Sequence, residues 1–508
     1  MNICRWIKWW ADRTPEKTAI RFGGRELSYR EFALDIDKTA SVLQQMGVMK
    51  GHRVGWLGFN SPEFLSTFFA CARIGAVIVP MNFRLAPREH LYILRNAGAK
   101  ILFFDPRLAA TAELVATKLK ACKLVSSIGV AHEIADASLP QLKHESDGAV
   151  SGDLVHPKNP LLIVYTSGTT GRPKGAVLTQ RSIHWNGLNS QLMHDLHRED
   201  HVLTTLPFFH VGGLNIQTTP ALQAGATVTL IEKFNAGEFF NLVERDRPTL
   251  TVLVPTQMRA IAEHPRWHSA DLSSLRCLTT GSTMVQMPLL NIWHDHGIPV
   301  IQIYGCTESG PIAIHQVIES AHATAGSVGR PAMYCDVRIV DNDERDVADG
   351  EAGELLLRGP NLMKEYWQDP EATEAAFQGD WLRTGDIGVR DDRGNYIVVD
   401  RKKRMIISGG ENIYPSELER ILLEHTDIIE VAVIGFPHEK WGEVPAAAYV
   451  CRANKVPAAG TLAGLFEGRL GHMKHPRHFV HFEEFPKNAM GKVVLADLHA
   501  EVLRRLGS

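Results

Sequence analysis

The segment Tyr165–Gly175, YTSGTTGRPKG, concentrates the residue types that grip an anion. Gly168, Gly171 and Gly175 let the backbone turn tightly and aim N–H groups at one point. Thr166, Ser167, Thr169 and Thr170 add hydroxyl donors, and Lys174 adds a cation on a flexible stem. Charge-assisted contacts of this kind contribute roughly 1.5–3 kcal/mol each, so a polyphosphate matches the loop chemically. Gly, Ser and Thr are also common in plain surface loops. Five consecutive small or hydroxyl residues, Ser167 to Gly171, with a lysine close behind, argue against that blander reading. A Walker-type nucleotide loop needs Gly-Lys followed by Ser or Thr. Here Lys174 follows Pro173 and precedes Gly175, which excludes that class.

The loop needs a rigid base, and the apolar run Leu161–Val164 just before it reads as a buried strand. Similar short apolar runs at Val54–Leu57, Ala76–Val79, Lys100–Asp105, Thr227–Glu232 and Thr249–Val254 alternate with helical patterns. That alternation predicts parallel-rich sheets packed between helices. Ser28 and Glu31 spell a capping box that opens a helix, with Gly47 placed to end it. Ser416 and Glu419 spell a second, for a helix whose apolar face includes Leu418, Ile421 and Leu422. The texture changes near Asp400, where Arg401, Lys402, Lys403 and Arg404 separate the apolar runs Tyr396–Val399 and Met405–Ile407. On charge alone such a run is a solvated loop; the change in texture places a domain boundary there.

At 508 residues the chain exceeds what one core usually organises. A net charge of -3 offers neither a basic field for nucleic acid nor a polybasic membrane address. Seven cysteines without a C-x-x-C pair form neither a disulfide framework nor a zinc site and suit a reducing compartment. The first residues lack the apolar core of a signal peptide, and Arg73 and Gly75 break the most apolar stretch, Phe64–Pro80. The expectation is a cytoplasmic protein with no transmembrane segment; a homodimer is left open.

The loop resembles the signature of the superfamily that holds acyl-CoA synthetases, peptide-synthetase adenylation domains and firefly-type luciferases. Further family-like segments follow in order: PFFHVGG at 207–213, YGCTE at 304–308, WLRTGD at 381–386, DRKKRMIISGGENIYP at 400–415 and PKNAMGK at 486–492. Six ordered motifs span nearly the whole chain. The resemblance implies an α/β fold: a large N-terminal domain (1–400) with parallel-rich sheets between helices and a small β-barrel-like piece, a hinge (401–404), and a small mobile α+β domain (405–508). It also implies a two-step ligase that uses ATP, Mg²⁺ and coenzyme A to convert a carboxylic acid into acyl-AMP and then a thioester.

The site roles come with the resemblance. Glu308 would hold Mg²⁺, with Thr166 in the metal shell, and Thr307 would contact the α-phosphate. Tyr304 would stack on adenine, beside Gly281 and Gly305. Asp386, expected in a turn after Trp381, would accept hydrogen bonds from the ribose hydroxyls, with Arg401 as a basic partner. Lys492 would bridge substrate carboxylate and α-phosphate after lid movement, and Lys403 would be the hinge. The family commonly carries Asp one residue later; Arg404 in its place puts the ion pairing around the hinge in doubt. Ser408, Gly409, Gly410 and Arg477 would face CoA. His210 would lie beside the carboxylate, with Val211, Gly212, Trp185, Met258, Ser282, Cys306 and Ile312 lining the acyl pocket.

Apolar side chains of this kind favour a hydrophobic tail. The texture resembles bacterial fatty-acyl-CoA and feruloyl-CoA synthetases. A medium- or long-chain fatty acid is the first expectation, an aromatic acid the alternative. An adenylation enzyme loading a carrier protein, a luciferase-like oxygenase and a non-catalytic relative are the rival readings. Intact Glu308, Asp386 and Lys492 argue against the last.

Overall fold

The computed structural model describes residues 2–152, 155–166, 172–281, 285–408, 411–452, 455–487 and 493–507. The chain forms two compact units, Met1–Val337 with Leu357–Arg383, and Arg338–Leu356 with Thr384–Ser508. The units divide before the basic run, because most of the small sheet preceding Asp400 groups with the C-terminal residues.

The first unit is built on two large sheets. One runs in the order Glu365–Tyr366, Lys174–Thr179, Pro160–Thr166, Val77–Met81, Arg53–Leu57, Ala99–Phe104, Lys123–Ser126, Ala137–Ser138. Its central strands pair parallel, whereas Pro160–Thr166 and Lys174–Thr179 pair antiparallel. The other sheet runs from Arg330–Pro331 through Ile314–His315, Val300–Tyr304, Cys277–Thr280, Leu250–Val252, His201–Thr204, Thr227–Leu230 and Thr18–Phe22 to Arg25–Ser28. Parallel strands bury both faces, which is why they read as unbroken apolar runs. Phe104, Ile163 and Val177 fill the core of the first sheet, and Phe239, Met258 and Trp293 that of the second. Each such side chain contributes about 2 kcal/mol by leaving water. The Ser28–Glu31 capping box is present in full, and Gly47 follows the helix end with φ 85°.

The second unit holds two five-stranded sheets. One, the barrel-like piece, runs Asp336–Val340, Gly353–Arg358, Trp381–Arg390, Phe377–Gln378, with Tyr396–Arg401 added along Trp381–Arg390; a few residues of these strands belong to the first unit. In the other, Gly442–Cys451 pairs with Ile428–His438, Ile406–Ser408 and His478–Phe482.

The second capping box does not form. The helix starts at Pro415 with Tyr414 as its cap, because proline's fixed φ suits the first helical position better than a Ser-x-x-Glu spacing one residue on. Ser416 instead donates from its amide to Asp400 Oδ2 at 2.8 Å, and its hydroxyl donates to the Val399 carbonyl. Glu419 turns inward, accepts the Val433 amide at 2.8 Å and pairs with Arg404. Burial pushes the Glu419 carboxyl above the usual range, against the opposing pull of Arg404. Arg404 also reaches Asp400 at 3.5 Å, so the unusual arginine has its own carboxylates. Arg404→Ala would leave the Glu419 charge with one amide donor. It is expected to cost about 2–3 kcal/mol in denaturant unfolding, below the roughly 3–5 kcal/mol for breaking a fully buried pair because the Arg404 side chain is 25% exposed. An unchanged unfolding midpoint would contradict this account.

Candidate active site

The anion loop lies between antiparallel strands, with Thr166 facing Lys174 and Tyr165 facing Gly175. Among the described residues the loop is therefore flanked by two strands of a hairpin, and the element that follows it is a strand. Ser167, Gly168, Thr169, Thr170 and Gly171 lie outside the described residues, as do Ser282, Gly409, Gly410 and Lys492. Thr166 Oγ1 lies 3.4 Å from the Lys174 carbonyl, a weak contact that leaves the hydroxyl able to serve another partner.

Tyr304 ends a buried strand and is itself 8% exposed. The chain then makes a short 3₁₀ turn, Thr307–Ser309, on which Thr307 and Glu308 are half-buried. Three buried asparagines from distant segments clamp this turn. Asn186 Oδ1 accepts the Ile312 amide at 3.0 Å, and Asn215 Nδ2 donates to the Gly310 carbonyl at 3.1 Å. Asn361 Nδ2 donates to Ser309 and Ile312 carbonyls at 2.7 and 3.1 Å. A Cβ on Gly305 would meet the Pro311 carbonyl oxygen at 1.8 Å, so glycine is required for the chain to fold back on itself. A Cβ on Gly281 would lie 2.9 Å from the Ile303 carbonyl oxygen on the neighbouring strand.

The Glu308 carboxylate accepts a hydrogen bond from the Tyr366 hydroxyl at 2.8 Å, and the Lys174 ammonium lies 5.4 Å from the Tyr366 ring centroid. Tyr366 thus joins the anion loop's lysine to the carboxylate expected to hold a metal. Burial, then the adjoining Glu308 charge, push the phenol above its ordinary range. Nothing in the sequence singles out Tyr366. Its isolated position after Lys364 and Glu365 gives no periodic or spacing signal.

His210 caps the short helix Val211–Gly213, with its ring 4.6 Å from Phe209. A Cβ on Gly213 would fall 2.4 Å from the Pro207 carbonyl oxygen, which makes the second glycine of HVGG obligatory. The chain continues as a π-helical turn, Leu214–Thr218, that delivers Asn215 to the Glu308 turn and Gln217 to His194. His194 is fully buried; its ring nitrogens lie 2.8 Å from the Ser190 carbonyl and 2.7 Å from Thr279 Oγ1, and burial pushes its pKa down to about 3. It is a structural histidine. Val211 and Ile312 are buried, Gly212 and Cys306 half-buried, and Met258 is sealed in the hydrophobic core. Trp185 is half-buried, with its ring edge-on to Tyr334 at 4.8 Å.

In the second unit, Asp386 does not sit in a turn. It lies within the strand Trp381–Arg390, opposite Arg401, beside Gly385 at φ 70°. The left-handed glycine and a register shift after Ile387 let the strand carry what looks like a turn sequence. Asp386 and Arg401 do meet, with Arg401 Nε 2.9 Å from Asp386 Oδ1. Lys402 pairs with Glu354 at 3.0 Å, Lys403 is exposed, Ser408 is buried and Arg477 is exposed.

The sequence model of the AMP-binding enzyme family matches residues 7–367, and that of the AMP-binding enzyme C-terminal domain matches residues 417–492. The chain belongs to the AMP-binding enzyme family. It is an AMP-forming acid–CoA ligase. It is 48% identical over 506 residues, 99% of both chains, to the indoleacetate–CoA ligase of Aromatoleum aromaticum. It is 39% identical over 499 residues, 98% of this chain and 97% of the other, to a feruloyl-CoA synthase of an Amycolatopsis species. The fold matches o-succinylbenzoate coenzyme A synthetase (MenE) of Bacillus subtilis, solved with ATP and a magnesium ion, with TM-score 0.86 at 30% identity over 97% of this chain and 99% of that one. No helix among the described residues is long and apolar enough to cross a membrane.

Proposed function

We propose that the enzyme activates an aromatic carboxylic acid, of the indoleacetate or ferulate kind, and transfers it to CoA. The observation that carries this reading is the 48% identity, along essentially the full length of both chains, to an indoleacetate–CoA ligase. The feruloyl-CoA synthase likeness points the same way. The fatty-acid expectation rested on apolar side chains, and these accept an aryl ring as readily as an alkyl tail. With Trp185 as a pocket wall, the half-buried Trp185–Tyr334 pair would offer an aromatic acid edge and face contacts worth roughly 0.5–1.5 kcal/mol.

In the first half-reaction the substrate carboxylate oxygen bonds to the α-phosphorus of ATP while the bond to the bridging oxygen breaks and pyrophosphate leaves. Catalysis here is mainly charge neutralisation and alignment. Lys174 and the loop hydroxyls would hold the outer phosphates, Thr307 the α-phosphate, and Tyr304 with Gly281 the adenine. Asp386 would take the ribose hydroxyls, with Arg401 fixing its carboxylate. Glu308 and Thr166 supply hard oxygen donors, which suit Mg²⁺ completed by phosphate oxygens. That ion would neutralise triphosphate charge. Lys492 would bridge carboxylate and α-phosphate. In the second half-reaction the CoA thiolate, its proton given up to solvent, attacks the acyl carbon beside His210 and the bond from that carbon to the phosphate oxygen breaks, releasing AMP; Ser408, Gly409, Gly410 and Arg477 would face CoA and Lys403 would be the pivot.

A panel of acids assayed for AMP release with CoA present tests the substrate. Indoleacetate, phenylacetate and ferulate are expected to exceed decanoate and palmitate in kcat/KM by roughly tenfold or more, a difference of about 1.4 kcal/mol in transition-state binding. A fatty acid that matches or beats every aryl acid would overturn the reading.

A further inference from the structure

We propose that Tyr366 is a positioning residue that fixes the Glu308 carboxylate for Mg²⁺ and ties it to the anion loop. The proposal rests on the role given to Glu308 above and deepens it.

The support is geometric. Glu365 and Tyr366 pair antiparallel with Val177 and Ala176, on the strand that returns from the anion loop. On either side of Tyr366 the backbone is pinned to that strand, with the Lys364 amide 2.8 Å from the Val177 carbonyl and the Trp367 amide 2.7 Å from that of Gly175. The Tyr366 amide donates to Thr373 Oγ1 at 2.9 Å, and the Trp367 indole donates to the Asn96 carbonyl at 3.0 Å. Met363, at the start of the segment, donates its amide to the Glu308 carbonyl at 2.7 Å. The phenol therefore projects from a backbone held on both sides. Its hydroxyl donates to Oε1 of Glu308, which restrains that oxygen, so that Oε2 would face a cation. Its ring faces the Lys174 ammonium, so any shift of the returning strand is felt at Glu308. Partners that orient a metal ligand in this way usually matter to affinity by ten- to a hundredfold.

Tyr366→Phe keeps the ring and removes the donor. The Mg²⁺ concentration needed for half-maximal ATP binding, measured by calorimetry without an acid substrate, is expected to rise roughly tenfold. The melting temperature should stay within about 2 °C, consistent with loss of one hydrogen bond. Thioester formation from supplied acyl-AMP, which involves no triphosphate, should be unchanged. Thr373→Val keeps the phenol but loosens its anchor. A Mg²⁺ shift in the same direction but smaller is expected in that variant, since the other backbone anchors remain; no shift in Y366F would overturn the positioning role. Glu308→Gln in the same titration separates the two layers of inference. If E308Q keeps the wild-type Mg²⁺ dependence, the metal role of Glu308 itself fails; if E308Q loses it while Y366F does not, only the Tyr366 proposal fails.

Discussion

Lys492→Ala is expected to lower acyl-adenylate formation by roughly a thousandfold or more while leaving thioester formation from supplied acyl-AMP within about twofold of wild type. The magnitude is that of removing one cation from a transferring phosphoryl group. During adenylation the attacking carboxylate and the α-phosphate are both anions, and bringing them into bonding distance costs heavily unless a positive group lies between them. Once acyl-AMP has formed, that repulsion is gone and the second step attacks a neutral acyl carbon. The same substitution should therefore split the two half-reactions. Pyrophosphate exchange measures the first, and CoA-dependent release of AMP from synthetic acyl-AMP measures the second. Equal loss of both would remove Lys492 from the adenylation machinery.

Glu308→Gln is expected to reduce adenylation by roughly a hundred- to a thousandfold, in the range found when one preorganised electrostatic group is removed from an active site. Glutamine is nearly isosteric and keeps a carbonyl oxygen to accept the Tyr366 hydroxyl, so the clamp around the Thr307–Ser309 turn should survive. What is lost is the negative charge that a hard cation requires. The variant should melt close to wild type, lose its response to added Mg²⁺, and retain the thioester half-reaction. A variant that adenylates normally at sub-saturating Mg²⁺ would show that the carboxylate is not the metal's protein ligand. A large drop in melting temperature would trace the defect to the fold instead.

Some of this was written in short stretches of sequence. The anion loop, HVGG, YGCTE and WLRTGD are each legible within about ten residues, and the strand Pro160–Thr166 announces itself through Leu161–Val164, a run that is apolar because it is buried on both faces. The Ser28–Glu31 cap is equally local, since its donors and acceptors lie within one turn. The class of reaction and the α/β architecture follow from such features.

Other matters needed the folded chain. Ser416 and Glu419 have the spacing of a cap, yet Pro415 takes the first helical position and Glu419 is drawn inward to Arg404. Asp386 follows a glycine in an apparent turn, yet cross-strand pairing with Arg401 holds it in a ladder. Tyr366 and Glu308 are 58 residues apart, and Asn186 reaches the same turn across 126. Hydrogen bonds over such separations leave no period in the chain, because they depend on which strand edges pack together and not on which residues are neighbours. The groups that could react were thus decided by the sequence, and how firmly they are held was decided by tertiary pairing.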